Sequence, residues 1–301
     1  MIALVTYDKL PSLADDEAPL IASLARLGVR AEPAVWDDDA VDWRRFDAAV
    51  IRSCWDYHLR PTEFFAWVDR VERLGVAIWN PSPVLRWNAR KTYLRDLAAA
   101  GVRTVPTVWV DSSAADDEQT LSTTLEHAGW NDAVVKPVVS ASAHDTWKLS
   151  RADADADSEH DVRLRRVAAT HGAMVQPLVP EIVTDGEWSL QFFGGVFSHA
   201  VVKRAAPGEF RVQREFGGTF ERVDPSTAVL QQAEAALRAA PGRTVYARVD
   251  GVVIGGELTV TELELLEPAL FLDADPAAAD RFAAAIASVI PSAGEESRPS
   301  R

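Results

Sequence analysis

Cysteine is nearly missing from this sequence: Cys54 stands alone among 301 residues, which excludes an internal disulfide and a disulfide-stapled fold and fits a reducing compartment. Cationic excess is missing too. Lys and Arg number 31 against 45 Asp and Glu, a net charge of −14 with neutral histidines, so the chain has no basic footprint for nucleic acid or an acidic membrane surface. An anionic ligand must therefore meet a local cluster of cations or a metal. Long apolar runs are also absent. The longest uncharged stretch, Trp188 to Val202, is interrupted by glycines, Ser198 and His199 and falls short of the ~18 apolar residues of a membrane span. Ile2 opens a strand directly, with no basic stretch and cleavable apolar run before it. The expectation is a cytoplasmic protein, long enough for two or three compact units, whose 48% hydrophobic and 25% charged residues exclude a disordered or fibrous chain.

What is present falls into three stretches. Up to about residue 80, β-branched runs alternate with helical patterns: Ile2–Tyr7, Asp15–Leu27, Val29–Trp36, Ala48–Ser53, a helix opened by Pro61 and closed by Gly75, then Val76–Trp79. That rhythm predicts a parallel α/β sheet. From Pro83 come two helices, Ala89–Ala100 and Asp116–His127, then strands at Ala133–Pro137, Thr146–Leu149 and Met174–Val179 around a helix at 159–170, an α+β pattern. Beyond 179, Gly194-Gly195 and Gly255-Gly256 each separate two β-rich runs and predict hairpins, followed by a helix from Asp275 to about Ile290 and a polar, loose tail.

Acidic residues carry the strongest chemical signal. Asp250 lies on one arm of the last hairpin and Glu262 and Glu264 on the other, the two glutamates sharing a face because strand side chains alternate. Three hard oxygen ligands would suit Mg²⁺, which keeps its remaining positions for waters and phosphates; the alternative is a solvated edge strand. Regular pairing across a two-residue turn would oppose Asp250 to Thr261 and put it on the wrong face. A three-residue connection, or a bulge pairing Asp250 with Glu262 or Val260, gathers all three carboxylates. Cations stand elsewhere: Lys136 in an apolar strand, Lys91 at a helix opening, Lys203, Arg204 and Arg211 around a strand and loop, and Arg248 on the face of Asp250. The loop Ser53-Cys54-Trp55-Asp56-Tyr57-His58 leaves the carboxyl end of a strand, where ligands of open α/β sheets collect. Ser53, Asp56 and Tyr57 are its substrate candidates, against a plain helix entry packed by Trp55.

The order Asn88-(x)₂-Lys91, Val-Val-Lys136-Pro, Val-Gln176-Pro-Leu-Val, Gly-Glu187-(x)-Ser-Leu, Lys203 to Arg211-Val-Gln213, Arg248-Val-Asp250 and Glu262-Leu-Glu264 resembles the ATP-grasp superfamily, most closely its glutathione synthetase and ribosomal-protein glutamate ligase branch. The resemblance implies an ATP-grasp fold, α/β plus α+β, with a parallel-sheet pre-ATP-grasp domain at 1–82, a central lid subdomain at 83–178, a C-terminal subdomain with the metal site at 179–291 and a tail at 292–301. It implies ATP and two Mg²⁺ ions as cofactors. Lys91 and Lys136 would hold the α- and β-phosphates, Gln176 to Val179 the adenine, and Glu181 or Glu187 the ribose. Lys203 and Arg211 would meet the γ-phosphate and an acyl phosphate, Arg248 a tetrahedral intermediate, and Asp250, Glu262 and Glu264 the metal.

Two departures stand out. The loop after Lys136, glycine-rich in the family, reads Val-Val-Ser140-Ala-Ser142-Ala-His144-Asp145-Thr146, so the hydroxyls of Ser140 and Ser142 are expected to replace amide contacts. Glu264 stands where many relatives carry asparagine, and Pro177 where many hinges carry glutamate. The activity implied is ligation through an acyl phosphate on a small amino-acid-like substrate. Overall likeness points most specifically to cyclisation of O-ureido-D-serine to D-cycloserine, with intermolecular ligation of an amino acid or peptide, or a nucleotide-binding module without catalysis, as alternatives.

Overall fold

The computed structural model describes residues 1–111, 120–154, 159–209, 211–212 and 216–290. The tail at 292–301, the acidic opening Asp116-Asp117-Glu118 and Gln213 lie outside the described residues. Three sheets make up the rest.

The first is parallel, in the order β2-β1-β3-β4, built from β1 (Ile2–Thr6), α1 (Ala18–Arg26), β2 (Ala31–Val35), β3 (Ala48–Ile51), α2 (Pro61–Arg73) and β4 (Ala77–Trp79). Every residue of β1 and β3 is buried, because both sheet faces are covered and alternation along a strand then serves two cores. Ala3, Val5, Ala49 and Ile51 meet α2, whose buried Phe64, Trp67, Val68 and Val71 form one helical stripe. Ile2, Leu4, Ala48 and Val50 pack on the other side with α1 and the last helix.

Two short helices follow, α3 (Ser82–Asn88) and α4 (Tyr93–Ala99), where the periodicity predicts one helix over 89–100. Tertiary bonds explain the break: the Lys91 N–H donates to the Val138 carbonyl at 2.8 Å, and the Asn88 amide bridges Leu263 O and Leu265 N, both at 2.7 Å. Lys91 thus sits in the connecting turn, not at a helix opening. The second sheet is antiparallel, β5-β8-β6-β7, from β5 (Val108–Val110), α5 (Leu121–Ala128), β6 (Asp132–Pro137), β7 (Trp147–Ser150), α6 (Glu159–His171) and β8 (Ala173–Pro177). Within the described residues helix α5 opens at a reciprocal capping box between Thr120 and Thr123.

The third sheet is antiparallel, β11-β10-β9-β12-β13. Its segment comprises α7 (Pro180–Thr184), β9 (Glu187–Phe193), β10 (Val196–Arg204), β11 (Thr219–Val223), α8 (Thr227–Arg238), β12 (Tyr246–Ile254), β13 (Glu257–Glu264) and α9 (Ala278–Ala287). Both Gly-Gly hairpins form, with positive φ at Gly194, Gly195, Gly255 and Gly256, as a two-residue turn matching strand twist requires. Residues from α3, α4 and α8 share one core with this sheet, while α9 joins it to the first through Phe282 stacked on Phe193 at 4.7 Å. Among the described residues no helix is long and apolar enough to cross a membrane.

Candidate active site

Pairing of β12 with β13 runs regularly from Ile254–Glu257 to Gly251–Val260 and then shifts by one residue. Thr261 is the extra residue of a bulge, so Asp250 faces Glu262 and Arg248 faces Glu264. The two-residue turn and the gathered carboxylates therefore coexist: oxygens of Asp250, Glu262 and Glu264 all lie within 4.8 Å of one another. Register extends the patch sideways, placing Ser189 opposite Asp250, Gln191 opposite Arg248 and Lys203 opposite Glu187.

Cations interleave with these acids. The Arg248 guanidinium donates to both Asp250 oxygens at 2.9–3.0 Å and also pairs with Glu264. Lys203 Nζ lies 2.8 Å from Glu187 and 3.3 Å from Asp250, and Lys91 pairs with Glu262. Ser189 donates its hydroxyl to Asp250, and the bulged Thr261 donates to Glu187 at 2.7 Å. Burial pushes the Asp250 carboxyl up, but Arg248 and Lys203 outweigh it and hold it at about 2. At Glu262 burial is likewise overcome by Lys91, leaving a lowered value. Glu264 goes the other way: burial, with Glu262 and Asp250 adding repulsion, raises it to about 7 against the pull of Arg248.

This patch is part of the wall of a cleft of about 760 Å³, to which residues near the carboxyl ends of β1 and β3 and residues of the second sheet also contribute. The cleft brings together Lys91, Lys136, Ser140, Ser142, Gln176, Val179, Glu187, Lys203, Arg211, Arg248, Asp250, Glu262, Glu264, Asp56 and Tyr57. Two sequence candidates lie elsewhere. Ser53 is buried outside the cleft wall with its hydroxyl donated to Glu17 at 3.0 Å, and Glu181 is likewise not part of the lining. Asp56 lines the cleft, but its oxygens accept from Trp36 Nε1 at 3.0 Å and Arg60 at 2.6 Å, so it braces its loop.

The second sheet supplies the opposite wall. Lys136 enters into no ion pair among the described residues, and burial pushes its ammonium below the ordinary range. An unpartnered ammonium opposite three carboxylates fits an anion-plus-metal ligand, and the hard oxygen set fits Mg²⁺. Gln176 donates to Thr107 Oγ1 at 2.9 Å, the Leu178 N–H donates to Asp132 O at 2.9 Å, and Val179 caps α7. Arg211 is held by both oxygens of Glu209 at 2.6 and 3.1 Å and lies over the Phe216 ring at 3.6 Å. The glycine-poor loop takes glycine's conformation regardless: Ser142, Ala143 and Asp145 have φ of 49°, 54° and 51°. The Ser140 hydroxyl closes this loop onto the His144 carbonyl at 2.8 Å.

Some lining residues carried no motif. Glu267, Trp55, Tyr7 and Phe271 face the cleft, and Ser189 supports Asp250 from the neighbouring strand. Of these, Ser189 has a signal in its place within Gly-Glu187-(x)-Ser-Leu, and Trp55 in the 53–58 loop at the end of a strand.

Comparison with known proteins agrees with this fold. The family model "D-cycloserine synthetase DcsG, N-terminal domain" matches residues 2–80. The cycloserine biosynthesis protein DcsG of Streptomyces lavendulae is 35% identical over 296 residues, spanning 95% of this chain and 98% of that protein. The crystal structure of D-cycloserine synthetase DcsG superposes with a TM-score of 0.85 at 32% identity, over 96% of this chain and 99% of that one. D-alanine–D-alanine ligase from Bacillus anthracis, solved in complex with ATP, shares the fold at a TM-score of 0.67 and 18% identity, over 95% and 96% of the two chains. Likeness over the whole length, together with the ATP-grasp fold, makes the chain an ATP-dependent ligase belonging to the D-cycloserine synthetase DcsG family.

Proposed function

We propose that this ligase uses ATP and two Mg²⁺ ions to activate the carboxylate of O-ureido-D-serine as an acyl phosphate; the oxygen-bound ureido nitrogen of the same molecule attacks it, phosphate leaves, and hydrolysis of the carbamoyl group from that nitrogen, released as CO₂ and ammonia, gives D-cycloserine. The bulge at Thr261 carries the reading: it sets Asp250, Glu262 and Glu264 together beside Arg248 and across the cleft from Lys136. The names of the relatives supply the product, D-cycloserine.

Residue roles follow from position. Gln176 to Val179, at the exit of β8, form the adenine wall, and Glu187 faces the ribose side. Lys91 and Lys136 reach the α- and β-phosphates from opposite walls. Lys203 and Arg211 flank the γ-phosphate as it moves to the substrate carboxylate, and ADP leaves. Arg248 then stabilises the negative charge that develops on the acyl oxygen as nitrogen adds and phosphate departs. Bound Mg²⁺ would neutralise phosphate charge and align the transferring group. Asp250, Glu262 and Glu264 would hold the cation, and Lys91, Lys203 and Arg248, paired to carboxylates in this structure, would then serve the phosphates and the acyl oxygen. The rest of the catalysis is positioning and exclusion of water from the acyl phosphate by the 140–146 loop.

Incubation with Mg-ATP and O-ureido-D-serine tests the reading through ADP, phosphate and cycloserine. ADP release without cycloserine refutes cyclisation. ADP release only when an amino acid and a separate amine are both supplied favours the intermolecular ligase, and ATP binding without turnover across a broad amino-acid panel favours a binding module.

A further inference from the structure

Glu267 lines the cleft three residues past Glu264, only 9% exposed, and has no part in the roles above. It stands outside the tight cluster of Asp250, Glu262 and Glu264. Among the described residues no hydrogen bond or ion pair reaches its carboxylate. Four of the lining cations are ion-paired with other acids: Lys91 with Glu262, Lys203 with Glu187 and Asp250, Arg248 with Asp250 and Glu264, and Arg211 with Glu209; Lys91 and Arg248 reach Glu267 only as through-space attraction. The electrostatic partners of Lys136 are Glu262, Lys91 and Glu187.

The backbone beneath this carboxylate is held atom by atom. Five consecutive carbonyls accept from side chains: Leu265 from Asn80 at 2.7 Å, Leu266 from Tyr246 at 2.8 Å, Glu267 from Trp55 at 3.1 Å, Pro268 from Arg52 at 3.0 Å and Ala269 from Arg248 at 2.9 Å. Arg52 is itself fixed by Glu17 at 2.6 and 2.8 Å. The Cα–Cβ direction of Glu267 is therefore determined from both domains that meet at the cleft. A preorganised, buried and unpaired carboxylate is unfavourable in the empty protein, and burial followed by repulsion from Glu264 raises it well above the ordinary carboxyl range. Such a group tends to hold its proton in the empty protein and is stabilised as a carboxylate by a cation that arrives with a ligand.

We propose that Glu267 is the specificity residue that receives the α-ammonium group of the amino-acid substrate, orienting the carboxylate on the same carbon toward the Asp250–Glu262–Glu264 patch. The assignment rests on the ligase reading above. Trp55, whose indole N–H is bonded to the Glu267 carbonyl, lines the same wall. An analogue without the ammonium leaves the carboxylate unpaired, and that penalty makes the pocket selective.

The test compares Glu267→Gln and Glu267→Asp with wild type, measuring ADP release with O-ureido-D-serine and with its N-acetyl derivative. In Glu267→Gln the KM for the free amino acid is expected to rise roughly 10- to 100-fold, the size of one charge-assisted hydrogen bond. The KM for Mg-ATP and the melting temperature with Mg-ADP stay unchanged, and the preference over the N-acetyl derivative shrinks by the same factor; Glu267→Asp falls between. An unchanged amino-acid KM overturns the assignment, as does an effect confined to Mg²⁺ or ATP dependence. If Glu267→Gln does not fold, wild type decides: equal turnover of the N-acetyl derivative overturns it, and rejection of that derivative together with a raised KM in Glu267→Asp upholds it. A wild-type enzyme inert toward every amino acid overturns the ligase reading as well, whereas a wild type that turns over beside an unaffected Glu267→Gln overturns this assignment alone.

Discussion

Replacing Lys91 by methionine should move two affinities in opposite directions. In the ligand-free protein the Lys91 ammonium is bonded to Glu262, both facing the cleft at 14% and 31% side-chain exposure. Glu262 owes its lowered carboxyl pKa to that partner, since burial alone would raise it. The proposed complex redistributes them, Lys91 going to phosphate and Glu262 to Mg²⁺. Ammonium and metal therefore compete for one carboxylate. At an effective dielectric of about 20, a pair ~4 Å apart is worth roughly 4 kcal/mol before desolvation and side-chain ordering are subtracted. The net for one charged hydrogen bond is about 1.5–3 kcal/mol, or roughly 10- to 100-fold. K91M should accordingly bind Mg²⁺ without nucleotide more tightly by up to that factor, and ADP at saturating Mg²⁺ more weakly by a similar one. Isothermal titration at pH 8, first with MgCl₂ and then with ADP, measures both, and a melting curve verifies that the variant is folded. A K91M protein whose metal affinity matches or falls below wild type refutes the competition and, with it, the placing of Glu262 on the metal.

Glu264 supplies a pH dependence. Because burial and its acidic neighbours hold it at about 7 against a free value of 4.5, Mg²⁺ must displace a proton below neutrality. Mg-nucleotide affinity should rise toward tenfold per unit up to about pH 7 and then flatten, with roughly half a proton released per ion at pH 7, measurable by titration in buffers of different ionisation enthalpy. The linkage has the opposite sign for the empty fold: a carboxyl raised in the folded state contributes stability below pH 4.5 that is lost as pH climbs toward 7, so added Mg-ADP should raise the melting temperature more at pH 8 than at pH 6. Gly251→Ala tests the bulge. A Cβ there would lie 2.7 Å from both Thr259 O and Leu258 Cδ1, so a loss of about 1–3 kcal/mol is expected, with a smaller melting shift on adding Mg-ADP, and an unperturbed shift would refute the link between register and metal site.

The parts of this molecule legible in its sequence are those dictated by local chemistry. β1 and β3 read as strands because burial on both faces leaves apolar residues throughout except Thr6 at the end of β1, and the Gly-Gly turns announce hairpins because few other residues tolerate two successive positive φ values. Helix α8 was equally legible and overlooked: Ser226 caps it with a 3.3 Å bond to Val229 N, and Val229, Ala233 and Ala236 form its buried face. The break between α3 and α4 was not legible, since its causes, Val138 and the β13 backbone, lie some 50 and 175 residues away in the chain. The metal register is the instructive case. Nothing in Thr-Val-Thr261-Glu-Leu-Glu marks a bulge, yet the residues that stabilise it can be named. The Val260 N–H donates to Arg103 O at 2.8 Å, the Val105 N–H donates to Val260 O at 3.3 Å, and the Thr261 hydroxyl is taken by Glu187. A passing segment at 103–105 thus holds Val260 in the core while Glu262 turns to the cleft. The sequence could pose the choice between regular and bulged pairing, because side-chain alternation made only one of them compatible with three ligands on one face. Only a contact from a distant part of the chain could decide it, and for the same reason Glu267, whose direction is set by Asn80, Tyr246, Trp55, Arg52 and Arg248, escaped a reading made along a single line of residues.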